Sequence, residues 1–276
     1  MSQDSPQQQK AQTLELGLAK YICSLLPYKP DKEIRPSPRY KNNRLVDEEP
    51  NFKTAPSSQE MEVIREAVEG FERLVGPICR DRVKKVSLGD QSLLGDRRDV
   101  IVSYVNGSGL SFDIKGVPGR PDVPVDITSP RSKALFDAVG HPGVYKSLTE
   151  RLAQRDFMLE ALKEPRALGA FVGKVMGKYD YHIMDVGRKT TYPWGPSLAN
   201  YHWVASESEV EFRQEMYPSI LLYCQEEKTS IEICPRRKCP RGKSSYDPHN
   251  FKWHTICSGA IVKAYDKMVE TPEDLF

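Results

Sequence analysis

Four of the six cysteines, Cys224, Cys234, Cys239 and Cys257, crowd into residues 224–257, with His249 and His254 among them. Zinc takes four soft or borderline ligands in a tetrahedron, and proteins supply them as close pairs on turns that bend around the ion. Cys234 with Cys239 and His254 with Cys257 make two such pairs, and Pro235 and Pro240 each follow a cysteine. These four are the expected ligands if the segment holds a zinc, which would be structural; Cys224 and His249 are spare donors. The competing reading is that the thiols pack, because Leu222, Tyr223, Ile231 and Ile256 are their apolar neighbours and free cysteine behaves as a small hydrophobe. Arg236, Arg237, Lys238, Arg241 and Lys243 lie between or beside the pairs, with Trp253 just beyond. Cations interleaved with aromatic rings suit a single-stranded nucleic acid, where charge tracks phosphates and rings stack on bases. A solvated basic loop would carry the same residues.

A second group is acidic. Val100–Val105 is β-branched and aromatic, Asn106-Gly107-Ser108-Gly109 supplies turn residues, and Leu110–Lys115 alternates, which predicts a hairpin. Asp99 stands at its mouth, and Asp113 and Lys115 are two apart on the return strand, so they share a face. Paired carboxylates can hold a divalent cation, and a neighbouring lysine can polarise a water.

The pattern Asp99 … Asp113-Ile114-Lys115 resembles the PD-(D/E)xK nuclease core over a short stretch of the chain. The resemblance implies that Asp99 and Asp113 hold Mg²⁺, that Lys115 polarises the attacking water, and that a glutamate of the preceding helix, Glu66 or Glu69, joins them. Arg98 stands where that family has proline, and no later run reads plainly as the buried parallel strand the family would need. Ordinary exposed hairpin charges would give the same three residues.

The elements that must position these groups follow from patterning. Residues 1–57 read as an extended, partly disordered arm, rich in glutamine, proline and cations; only Leu14–Leu26 has helical spacing, and a docked helix there would bury Leu18, Ile22 and Leu25. A single α+β domain is expected over 58–276, with a Cys/His-rich subregion at 224–257. Its helical middle covers about 58–76 and 130–176. Ser57-Ser58-Gln59-Glu60 is a capping box opening the helix at 58–76; Ser129-Pro130 opens a helix that Gly140 closes, Pro142 opens a second that Pro165 ends, and a third runs from Arg166 to Met176. The last hundred residues switch to strand character, including Tyr181–Val186, Tyr201–Ala205, Ser219–Cys224 and Thr229–Cys234, so a mainly antiparallel C-terminal sheet is expected. Val123–Ile127 reads as a short edge strand, and Cys23 and Cys79, among apolar neighbours, as buried thiols.

Composition narrows the function classes. The chain has 276 residues, of which 39% are hydrophobic and 28% charged, enough for a real core. Forty Lys+Arg against 38 Asp+Glu leaves +2, too little for a global field that recruits nucleic acid or anionic lipid. No run approaches the roughly 18 apolar residues of a spanning helix. Met1–Gln9 is polar, without a secretory profile, so an intracellular place, cytoplasmic or nuclear, is expected. There is no Gly-x-Ser-x-Gly, Walker loop or dinucleotide fingerprint. The leading expectation is therefore a non-enzymatic binding or assembly protein, structural or regulatory in the manner of a viral matrix protein or an adaptor. Its partner would be another protein or a second copy, with single-stranded nucleic acid as a further contact and no small-molecule substrate. The alternative is the metal-dependent nuclease of Asp99, Asp113 and Lys115.

Overall fold

A computed structural model of the chain describes residues 6–27, 39–41, 44–47, 55–89, 98–121, 125–128, 132–148, 150–212, 215–224, 226, 229–237 and 251–257. In chain order the elements are α1 (Pro6–Ser24), β1 (Arg39–Lys41), β2 (Arg44–Asp47), α2 (Ser58–Leu74), β3 (Val83–Leu88), β4 (Val100–Tyr104) and β5 (Gly109–Lys115). There follow β6 (Val125–Thr128), α3 (Ser132–Ala138), α4 (Arg151–Ala161), α5 (Pro165–Met176), β7 (Tyr181–Asp185) and β8 (Thr190–Trp194). The chain ends in β9 (Trp203–Phe212), β10 (Glu215–Cys224), β11 (Thr229–Arg237) and β12 (Phe251–Cys257). The class is α+β, as the patterning predicts. Among the described residues, no helix is long and apolar enough to cross a membrane.

The chain forms two compact units. One comprises residues 1–120 and 178–195, the other 121–177 and 196–276. The first is built on a five-stranded sheet of order β3-β4-β5-β7-β8. β3, β4 and β5 run as an antiparallel meander, β7 joins β5 in parallel, and β8 turns back antiparallel on β7. Parallel pairing needs a long crossover, which residues 121–177 provide. Tyr181–Val186 therefore does not belong to the C-terminal sheet, where its position in the chain suggested it would pair. It is the buried parallel partner of β5 that the sequence did not display.

Two helices complete the first core. α2 starts as its sequence dictates: the Ser57 hydroxyl accepts from the Glu60 N–H while the Glu60 carboxylate accepts from the Ser57 N–H. Its Ile64, Ala67, Val68 and Phe71 are buried, and Phe71 meets the Phe112 ring of β5 edge-on at 5.0 Å. α1 packs in the same core through Leu14, Leu18, Ala19 and Ile22. So the expected arm contains a docked helix that begins earlier than the apolar spacing suggested, at Pro6, while Leu25 lies past its end and is only half-buried. Gly17 lets α1 approach α2, since a Cβ there would sit 2.4 Å from the Ile64 Cδ1. Cys79 is exposed, contrary to expectation, because it lies in the turn between α2 and β3. Cys23 is half-buried, and burial raises its thiol pKa.

The second unit carries the antiparallel sheet β6-β12-β11-β10-β9. Val125–Thr128 is its edge strand, close to the predicted run, and β12 lies between it and β11. The second helix of the middle does not start at Pro142. A 3-10 turn at Val144–Lys146 precedes α4, which begins at Arg151 and packs against β10 and β11. Glu232 on β11 is only 4% exposed. It accepts from the Ser208 hydroxyl at 2.8 Å and from Ser219 at 3.5 Å, its other oxygen has no partner, and burial pushes its pKa up to about 7.

Candidate functional site

The β4–β5 register decides where the acidic residues fall. Val100 pairs with Phe112, so one step outward along the two strands Asp99 stands beside Asp113. Asp99 is held by three backbone groups. Its N–H donates to the Phe112 carbonyl at 2.7 Å, its Oδ2 accepts from the Ile114 N–H at 2.7 Å, and its carbonyl accepts from the Gly89 N–H at 2.8 Å. Asp113 has no exposed surface. Lys115 Nζ forms an ion pair with Asp113 Oδ1 at 2.5 Å. Asp99, Asp113 and Lys115, which the sequence proposed as a set, are thus brought together.

Placing one carboxyl against another out of water is costly for the charged forms. The Asp99 carboxyl is held well above the usual carboxylate range, first by burial, then by the charge of Asp113 and that of Glu15; Lys115 opposes the shift. Glu15 is the third acid whose charge acts here. It lies on α1, whereas the two glutamates suggested by the sequence are engaged on α2: Glu66 pairs with Lys189 at 2.8 Å and Glu69 with Arg65 at 2.7 Å. A signal for Glu15 was present. It is the only acidic residue in Pro6–Ser24 and is only partly exposed among buried leucines.

The strand carrying Lys115 is braced from β7. Asp185 is the register partner of Lys115. Its Oδ1 accepts from the Gly187 and Arg188 N–H groups at 3.0 and 3.2 Å, and its Oδ2 meets the Arg188 guanidinium at 2.6 Å. Gly116, at φ +85, sits against this carboxylate; a Cβ there would come within 2.3 Å of Asp185 Oδ1. Both oxygens of Asp185 thereby take part in building the turn.

Among the described residues, no three His, Cys, Asp or Glu side chains converge as a metal cage. A hard cation such as Mg²⁺ needs no such cage, because it keeps several waters and binds through one or two carboxylates. Asp99 and Asp113 are two such carboxyls side by side, and Asp113 Oδ1 also faces Lys115 Nζ.

Of the proposed zinc ligands, Cys234 and His254 are direct cross-strand partners on β11 and β12, and Cys257 pairs with Val125 of β6. Cys234 is buried with Val210 and Tyr217. Cys239 lies outside the described residues. Arg236 and Arg237 end β11 opposite Lys252 and Phe251, and Trp253 pairs with Pro235; Lys238, Arg241 and Lys243 lie outside the described residues. The histidines within described elements have other settings. His141 is exposed, edge-on to Phe157 at 4.9 Å, and His182 lies against Phe71, its pKa lowered by burial. No known protein family, curated protein or solved structure matches this chain.

Proposed function

We propose that this chain is a divalent-metal-dependent nuclease whose reaction centre is Asp99, Asp113 and Lys115, with Glu15 as the acid contributed by α1. The reading rests on one observation: Asp113, with no exposed surface, lies beside the Asp99 carboxyl, and Lys115 Nζ stands 2.5 Å from its Oδ1. Two carboxyls set side by side out of water disfavour each other's charge, and a divalent cation held between them would relieve that repulsion. The parallel β5–β7 pairing and the antiparallel meander before it add support, as does Lys115 on the same face as Asp113.

In this reading Asp99 and Asp113 would hold Mg²⁺ or Mn²⁺. Such an ion, when bound, polarises a phosphoryl oxygen and lowers the pKa of a water. The three backbone bonds to Asp99 fix its carboxyl before any ligand arrives, and the brace from Asp185 holds the end of β5. Lys115 supplies positive charge beside Asp113, placed to orient a water and to offset charge developing on phosphorus. Hydrolysis adds water across the P–O bond: the water oxygen bonds to phosphorus and gives up a proton to solvent, and the P–O bond to the leaving oxygen breaks as that oxygen takes a proton from solvent.

The test is incubation of the purified chain with Mg²⁺ or Mn²⁺ and single- or double-stranded DNA and RNA. Cleavage is expected that chelator abolishes and that Asp113→Ala and Asp99→Ala each remove. Intact substrate in every combination, or cleavage indifferent to Asp113→Ala, ends this reading.

A further inference from the structure

We infer that Arg82, Lys84 and Lys85, at the start of the edge strand β3, form the surface that grips the phosphate backbone of a nucleic-acid strand leading to Asp99 and Asp113. The inference rests on the nuclease reading above and adds to it the surface that holds the polyanion. Three carboxyls, Asp99, Asp113 and Glu15, interact at the site, and a phosphodiester approaching them meets like charge. Cations of the same unit are needed to offset that field. Lys115, Arg188 and Lys189 face acids of the fold at Asp113, Asp185 and Glu66, and Glu72 holds Arg80 at 3.0 Å. Arg82, Lys84 and Lys85 are exposed, and none of the three makes an ion pair or a side-chain hydrogen bond among the described residues. Asp81 is the one acid in Arg80–Lys85.

A bulge places the two lysines. Val83 and Val86 are both buried in the core, which the two-residue period of a regular strand does not allow. The register with β4 shifts accordingly: Val83 pairs with Tyr104 and Lys85 with Ser103, so Lys84 is the extra residue. Both lysines thereby stay in solvent, where strict alternation would send one into the core. β3 borders its sheet, and charge on an edge strand also discourages pairing with another chain. Charge of either sign does that, whereas these three are all positive. Asp99, Ile101 and Ser103 are two apart along the chain and share one face. Lys85, the partner of Ser103, therefore borders the face that carries the acid pair. Past the far end of β3 the Gly89 N–H donates to the Asp99 carbonyl at 2.8 Å. Gly89 is four positions beyond Lys85, about 13 Å of strand. Along that path Ser87, Ile101 and Ser103 are only half-buried, so a polyanion laid from Lys85 toward Asp99 crosses a partly open surface.

The experiment uses the full chain carrying Asp113→Asn, which prevents turnover, and a fluorescent single-stranded oligonucleotide in Mg²⁺, with anisotropy read between about 50 and 200 mM salt. Replacing both lysines, Lys84→Gln with Lys85→Gln, is expected to reduce the slope of log affinity against log salt by about 1.4, two single-strand phosphate contacts at about 0.7 each. At 0.1 M salt that slope corresponds to binding about 25-fold weaker. Adding Arg82→Gln should lower the slope by about 0.7 more. Lys84→Arg with Lys85→Arg keeps the charge and should bind as the parent does. All of these variants should keep the parent's Tm, because the side chains replaced are exposed. An unchanged slope in the glutamine pair, an arginine pair that binds as weakly as the glutamine pair, or a parent that binds no oligonucleotide overturns the inference. Displacement of the oligonucleotide by a poly-glutamate peptide at equal charge would assign the surface to acidic protein and overturn it as well. Cleavage by the chain with Asp113 intact would leave the nuclease reading standing in each of those cases. Binding that depends on Lys84 and Lys85 in a chain that cleaves nothing retains the inference and removes the nuclease reading instead.

Discussion

Glu232 offers the most direct quantitative check on the second unit, because its environment alone sets the outcome. Its carboxyl accepts two serine hydroxyls, yet burial dominates and lifts the pKa from 4.5 to about 7. A carboxyl whose folded pKa exceeds its unfolded value binds more protons when folded. Its contribution is therefore fully present below about pH 4.5, is lost as pH rises toward 7, and stays lost above that. At about 1.4 kcal/mol per pH unit the loss is about 3 kcal/mol. For a unit of this size that corresponds to roughly 10 °C in Tm. Glu232→Gln keeps an acceptor for Ser208 and removes the ionisation. The variant is expected to match the parent at pH 4.5 and to exceed it by about 2–3 kcal/mol at pH 8, read from urea unfolding followed by tryptophan fluorescence. Unfolding curves with the same pH dependence in parent and variant would refute the assignment of that loss to Glu232.

Two other outcomes bear on the first unit. Asp113→Asn should erase any rise in Tm that Mg²⁺ gives the parent; a variant whose Tm still responds to Mg²⁺ would contradict this. Leu18→Ala, at a side chain with no exposed surface, should cost about 2–5 kcal/mol in denaturant unfolding. A loss near zero would mean that α1 does not belong to the core.

Much of the local structure was written in the sequence, because its causes are local. The Ser57–Glu60 box, the Asn106–Gly109 turn and the helical apolar face from Ile64 to Phe71 are each settled by residues within a few positions of one another. The hairpin also brought Asp113 and Lys115 to one face, as the two-residue period of a strand requires. That Asp99 meets Asp113 followed only once the register was fixed, because a one-residue slip would have turned one of them to the other face.

Only the tertiary structure decided the rest. Tyr181–Val186 has strand composition, but composition does not name a partner, and its parallel pairing with β5 depends on a crossover of more than fifty residues. The charge of Glu15 acts on Asp99 although the two lie far apart in sequence, because α1, expected to lie in an arm, packs in the same core. The burial that makes Asp113 chemically notable is a sum over packing from distant segments, and no window of residues around it contains that sum. Residue types and short-range geometry were thus determined by the sequence itself; which carboxyls meet out of reach of water was determined by long-range pairing.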